Sequence, residues 1–280
     1  MPLATTIASA GAVPQNDPDV TTSPIYTHDF FKGRQARTAQ AAARIVPHVL
    51  DLIQPTSVID IGCGTGEFLA SFRQYGVDDI LGIDGTYVER DLLVIPQECF
   101  TPFDLSQPFT LDRGYDLAVC LEVAEHLLPQ SASKFVASLT RSAPVILFSA
   151  AIPYQGGNGH LNEQWPDYWA ALFKQHGYVP VDALRRRLWN DREIPFWYRQ
   201  NMLFFCTEDA LQGNAKLALA AQTTDPFTLS LVHPEMYLEC NTKYLRKARY
   251  ALGYLTPLWH LKNRLRKLPG ESSSITRKRV

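Results

Sequence analysis

The chain has no C-x-x-C pair. Its five cysteines (63, 99, 120, 206 and 240) are scattered over 280 residues, which fits reduced, cytosolic usage and excludes a disulfide framework. No apolar run approaches 18 residues, so no membrane span is expected. The N-terminus lacks a basic stretch followed by an apolar core, so no signal peptide is expected. Internal repeats are absent. Net charge is only −1, so the chain as a whole selects no partner by sign. The charge is nevertheless segregated. From Lys243 onward there are 11 Lys/Arg against one acid, Glu271, while the first 242 residues hold 16 basic and 27 acidic side chains.

Enough remains to build a sizeable core, at 46% hydrophobic residues. Residues 1–25 are rich in Ala, Thr, Pro and Asp and are expected to form a disordered lead. Residues 35–53 carry apolar side chains at helical spacing, with Pro47 expected to kink or break the helix. Strands are expected at 57–61, 79–84, 99–103, 115–121 and 144–149, with helices at 65–75, 86–93 and 131–142 between them. That alternation implies βαβ units and a parallel sheet covered on both faces. A helix is expected at 167–176 and two last strands at 179–188 and 202–206. Residues 211–230 read as a hinge or irregular link, and 235–268 as basic amphipathic helices split by Pro257.

The densest information lies in VIDIGCGTGEF, residues 58–68. It reads as a buried strand, a glycine turn and the start of a helix. Glycine tolerates positive φ and lets a ligand approach the backbone, and a helix start offers unpaired N–H groups. The third glycine comes one residue too early for the G-x-G-x-x-G dinucleotide fingerprint. Glu67 follows it, where a pyrophosphate would be repelled, and Asp60 precedes the turn. Both acids suit a cationic ligand better.

The pattern D-x-G-x-G-x-G resembles the first motif of class I S-adenosylmethionine-dependent methyltransferases. The resemblance implies a Rossmann-like seven-stranded α/β sheet with helices on both faces over residues 26–210, the last two strands forming an antiparallel end. Residues 211–280 then form a basic helical C-terminal extension. It places Asp60 near the amino-acid end of the cofactor, with Gly62, Cys63, Gly64 and Gly66 packed against it. Asp84 ends the second strand, 24 residues after Asp60, and a carboxylate there can accept from both ribose hydroxyls. In the family an acid at the place of Asp104 bonds the adenine amino group. Gly85, Leu105 and Leu121 complete the expected cofactor set. Read alone, Asp84 and Asp104 are equally turn residues or helix caps.

After the fourth strand comes LEVAEHL, residues 121–127. If a helix starts there, Glu122, Glu125 and His126 fall at i, i+3 and i+4 on one face, a plausible cluster for a divalent metal. The E-x-x-E-H run resembles the ubiquinone-biosynthesis O-methyltransferases and the small-RNA 2′-O-methyltransferases. In the second group both Glu and the His bind a divalent metal, and a later His completes the shell. His160, in HLNEQWPDYW at 160–169, is the candidate here, by motif and order but with a different local sequence. The expected roles are catalytic for His160, Glu122 and Glu125, and metal-ligating for Glu122, Glu125, His126 and His160, with Mg²⁺ or Mn²⁺. His160 could instead serve as a base without metal. Glu125 and His126 could also be exposed helix residues, and His160 a loop-bonding side chain.

Trp165, Tyr168, Trp169, Trp189, Trp197 and Tyr198 could stack on an acceptor or fill the core. Arg185-Arg-Arg187, read as strand, could meet an anion or face solvent. The basic tail could pack as a lid or dimer element, touch an anionic membrane peripherally or meet phosphates. An acidic body without an evident RNA-binding module argues against nucleic acid. The resulting expectation is a cytoplasmic O-methyltransferase acting on a saccharide or other small molecule. The alternatives are RNA 2′-O-methylation and a non-catalytic cofactor-binding protein docked through its tail.

Overall fold

The computed structural model describes residues 7–9, 28–242 and 245. The chain divides into two units, Met1–Met236 and Tyr237–Val280. The first contains α1 (His28–Leu52), β2 (Ser57–Ile61), α2 (Glu67–Gln74), β3 (Asp79–Asp84), β4 (Phe100–Pro102), β5 (Phe109–Leu111), β6 (Leu117–Leu121) and α3 (Ala132–Thr140). It continues with β7 (Val145–Ser149), α4 (Pro166–Lys174), β8 (Tyr178–Val181), α5 (Arg185–Leu188), α6 (Phe196–Asn201), β9 (Leu203–Thr207), α7 (Glu208–Gln212) and α8 (Ala215–Thr223). Strand β1, Ile7–Ser9, pairs antiparallel with β5, Ile7 lying opposite Leu111, so the expected featureless lead contains a paired strand. Helix α1 runs through Pro47 without ending.

Seven strands form one sheet in the order β4-β3-β2-β6-β7-β9-β8. The first five are parallel, and β9 runs antiparallel to both of its neighbours, β7 and β8, which makes the antiparallel end the resemblance implied. Strands β2, β6 and β7 are buried along their whole length. Alternate side chains therefore feed two cores. Val58, Val119 and Leu147 pack with Ile45 and Phe72 on one face. Ile59, Cys120 and Phe148 pack with Phe135 and Phe173 on the other. This layering puts the carboxyl ends of β2, β3 and β6 side by side, where such folds bind ligands.

Two expectations fail locally. The run 179–188 is not one strand: β8 stops at Val181 and Arg185–Leu188 is helical. Arg185 is then buried at 2% exposure, paired with Asp182 at 2.7 Å, and not part of a solvated strand face. Residues 211–230 are not an irregular link, because they hold the whole of α8. Asn214 caps that helix by accepting from the amides of Lys216 and Leu217. Among the described residues of the second unit, 237–242 are helical and Asn241 donates to the Tyr237 carbonyl at 2.8 Å. The tail expectations built on Pro257 and on the basic residues from Lys243 onward lie outside the described residues.

Candidate active site

The cleft begins at the glycine turn. Gly62, Gly64 and Gly66 have φ of 85°, 55° and 93°, a region that side chains other than glycine adopt at a cost. At Gly62 there is also no room: a Cβ would lie 2.3 Å from Val123 Cγ2. The turn that borders β2 is thus fitted to the segment after β6. Gly66 caps α2 without a side-chain bond, so no cap side chain answers the first helical amides.

Three buried carboxylates surround this turn. Asp60, Glu67 and Asp84 are 4%, 6% and 6% exposed and all line the cleft. Burial drives the pKa of Asp60 well above the ordinary carboxylate value, and the charges of Asp84 and Glu67 push the same way. Burial also raises Glu67, partly offset by a hydrogen bond from the Thr65 hydroxyl. Burial raises Asp84 against three donors: the Tyr87 hydroxyl (2.7 Å), the Gly64 amide (2.7 Å) and the Gly85 amide (2.6 Å). Concentrated acid of this kind fits a ligand carrying positive charge, as a sulfonium and an ammonium do. Three bonds leave Asp84 about one acceptor position of its four, so holding two ribose hydroxyls requires Tyr87 to yield.

Cys63, Leu105 and Leu121 also line the cleft. The Cys63 thiol is pushed far up by burial and by the surrounding acids, so it is no nucleophile. Gly85 contributes through its amide. Asp104 departs from expectation. It is exposed, it is absent from the cleft lining, and its Oδ1 accepts from the Ser106 amide at 2.9 Å, as a turn residue does.

At the far end of the cleft the residues after β6 do not start an α-helix. Glu122 has φ of 57°, and only 124–126 form a single 3₁₀ turn. A non-glycine residue held there costs about 1–3 kcal/mol. Glu122 therefore does not share a helical face with Glu125 and His126. Its two carboxylate oxygens accept from Gln155 Nε2 (2.9 Å) and Asn201 Nδ2 (3.1 Å). Asn201 in turn accepts from Gln200 Nε2 at 2.8 Å, and Gln200 Oε1 accepts from the His233 amide at 2.7 Å.

Glu125, His126 and His160 do come together: one ligand atom from each lies within 4.8 Å of the others. The backbone explains the meeting, since the Glu125 carbonyl accepts from the amides of Leu161 (2.7 Å) and Asn162 (3.0 Å). Glu163 holds the rest of that loop. Its carboxylate accepts from the amides of Tyr154 and Gly156, both at 2.8 Å, and from His160 Nδ1 at 2.9 Å. His126 Nδ1 lies 3.3 Å from the Gly159 carbonyl, which can only accept. Both imidazoles therefore carry the proton on Nδ1 and the lone pair on Nε2. His126 is depressed to about 4 by burial and by His160, so it is neutral near pH 7. Glu125 is fully buried with both oxygens lacking a hydrogen-bond partner among the described residues. Burial and then Glu122 push its pKa far up, while the nearby Glu125 and Ala151 amides offset little. Leaving such a group unmet costs about 1–3 kcal/mol or more. Two imidazoles and an orphaned carboxylate within this distance are a donor set that fits a divalent cation.

Sequence reasoning missed Gln155, Asn201, Glu163 and Tyr87. The first two are lone amides in unrelated segments and carry no local signal. Glu163, three residues after His160, did carry one, because metal-ligating histidines commonly have a carboxylate partner.

A family model described as a methyltransferase domain matches residues 31–191, more than half of the chain. No curated protein matches. Among solved structures, a sugar N-methyltransferase from Streptoalloteichus is 16% identical over 71% of this chain and 98% of its own, with a TM-score of 0.50. The methyltransferase domain of a bacterial Hen1 is 20% identical over 59% of this chain and 96% of its own, with a TM-score of 0.41. A methyltransferase from Archaeoglobus fulgidus is 18% identical over 54% of this chain and 74% of its own, with a TM-score of 0.43. At these identities the likenesses concern the fold alone. With the glycine turn, the acids that border it and the family match over 31–191, the chain belongs to the class I S-adenosylmethionine-dependent methyltransferases.

Proposed function

We propose that this enzyme methylates a hydroxyl of a saccharide or other small metabolite, with a divalent cation held by Glu125, His126 and His160. The observation that carries the reading is the buried, unmet Glu125 carboxylate beside two imidazoles locked as Nδ1–H tautomers. A bound divalent cation would acidify the acceptor hydroxyl, as zinc lowers water from about 15.7 to about 7. Asp60, Glu67 and the glycine turn hold the cationic methyl donor. Glu122, fixed by Gln155 and Asn201, borders the same cleft and can accept a hydrogen bond from the acceptor. The proton lost on methyl transfer passes to Glu122, the cleft carboxylate that is not among the cation's ligands and whose pKa burial raises. Tyr154 and Trp165 are exposed in the segment around His160 and offer rings to an acceptor, whereas Trp169 and Tyr198 are buried.

RNA is disfavoured because the first 242 residues carry 27 acidic against 16 basic side chains, a balance that does not attract a polyanion. Transfer of labelled methyl groups to sugars and RNA tests both points. We expect transfer to a neutral sugar, lost in EDTA and restored by Mg²⁺ or Mn²⁺. Full activity in EDTA, unchanged by added metal, would sink the metal assignment. Transfer to RNA that weakens steeply with salt would replace the acceptor.

A further inference from the structure

A second cavity, of about 520 Å³, shares no lining residue with the cleft. It is lined by residues from the end of β8, α5, the end of α8 and the segment after it. Arg185 lies at its base. Nη2 donates to Asp182 Oδ2 at 2.7 Å and Nη1 to the Leu229 carbonyl at 2.6 Å. Yet Arg185 Nε and Asp182 Oδ1, a buried donor and a buried acceptor, have no partner among the described residues. Native structures rarely leave such groups unmet, and each unmet group costs about 1–3 kcal/mol. Trp189 is a half-buried wall whose ring meets His233 with centroids 4.5 Å apart. Asp225 and Thr228 line the cavity as exposed residues.

Two arginines, Arg185 and Arg186, face two aspartates, Asp182 and Asp225, so the lining selects neither an anion nor a cation. A vicinal pair of hydroxyls both donates and accepts, and so can answer Arg185 and Asp182 together. An indole ring covers the apolar face of a sugar ring. We propose that this cavity is a second saccharide-binding site that takes one sugar unit of a neutral carbohydrate. The proposal rests on the saccharide reading of the acceptor and extends it to a surface outside the cleft. The site also reaches the acceptor end through one residue. Arg185 Nη1 lies 3.4 Å from the carbonyl of Gln200, whose side chain supports Asn201 and through it Glu122.

The test is binding by nitrogen-15 NMR of the tryptophan indoles, with the Trp189 signal assigned from Trp189→Phe. The probes are methyl glucoside, methyl rhamnoside and N-acetylglucosamine, with inorganic phosphate as the anionic arm. At least one sugar should move the Trp189 signal with millimolar affinity. Asp225→Ala, an exposed change, should weaken it about fivefold while the other indole signals stay in place. No shift with any of the three sugars, a shift with phosphate alone, or an affinity untouched by Asp225→Ala would overturn the site. Methyl transfer to the same sugars is read separately. Binding without transfer sinks the acceptor reading alone, and transfer without a Trp189 shift sinks the second site alone.

Discussion

The two ends of the cleft are built by opposite means. The cofactor end is made mainly of backbone from one continuous stretch, β2, the glycine turn and the start of α2, with acids from β2, α2 and β3 around it. The acceptor end is made of side chains from three separated segments: 122–126, 155–163 and 200–201. One end needs the chain to bend at a few positions. The other needs three loops to agree on where a carboxylate and two imidazoles sit. A continuous motif therefore declares a cofactor class, while the acceptor is chosen by parts that can vary independently.

Gly62→Ala should produce the largest effect, because it breaks the separation between the ends. The new methyl would meet Val123, which belongs to the acceptor end, and φ of 85° would be strained as well. Strain alone costs about 1–3 kcal/mol. Methyl transfer should fall about 1,000-fold and the thermal midpoint should drop. Calorimetry with S-adenosylhomocysteine and a melting curve would show it, and a wild-type profile would mean that the turn is not tied to Val123.

Next in size are Glu125→Gln and His160→Ala, which should damage one end only. Each should lower methyl transfer about 100-fold. Cofactor affinity should stay within about twofold, and calorimetric Mn²⁺ binding should be lost. Loss of cofactor affinity in either variant would show that the ends are not independent.

A smaller effect comes from pH. Burial raises Asp60, Glu67 and Asp84, so each binds its proton more tightly in the folded chain. The folded state then holds more protons than the unfolded one above about pH 4, and stability falls as pH rises through the raised values. Glu122 and Glu125 act the same way. His126, held at about 4, adds stability as pH rises between about 4 and 6.5 and opposes them there. Asp51, drawn down to about 2 by Lys216 and Arg187, opposes them only below that window. The thermal midpoint without ligand should drop by a few degrees as pH rises above about 6.5, where His126 no longer opposes, at about 2–4 °C per kcal/mol. S-adenosylmethionine should stabilise more at pH 8 than at pH 5, since its cationic groups offset the ionised acids. A midpoint that rises with pH above about 6.5 would remove the cationic-ligand argument. Smallest of all is Asp104→Asn. It should change cofactor affinity less than about twofold and stability by no more than about 0.5 kcal/mol, and a tenfold loss of binding would restore Asp104 to the adenine.

The same contrast governs what could be read from the sequence. The strands of the parallel sheet were legible because each is a short apolar run between turn signals, and the glycine turn because its spacing is local. Arg185–Leu188 was misread because an apolar run broken by three arginines fits a strand as well as a short helix. Helix α8 was missed although Asn214 followed by an Ala/Leu-rich stretch is a capped helix signal. Only Leu217 of α8 is buried, so no apolar stripe marked it. At the acceptor end, Glu125, His126 and His160 could be named but Glu122 was grouped with them wrongly. Helical spacing does not apply across a residue at φ of 57°. The amides that hold Glu122 come from positions 33 and 79 residues away and leave no pattern in the chain.

The bond from the His233 amide to Gln200 has a practical meaning for anyone shortening this protein. The apparent end of the methyltransferase fold is β9, and a fragment stopped near residue 210 would keep the whole sheet. It would also lose the amide that orients Gln200, the Glu235 partner of the buried Arg199 at 2.7 Å, and the Leu229 carbonyl that holds Arg185. Such a fragment should still bind cofactor but turn over poorly. The shortest fragment worth expressing for catalysis runs through Met236.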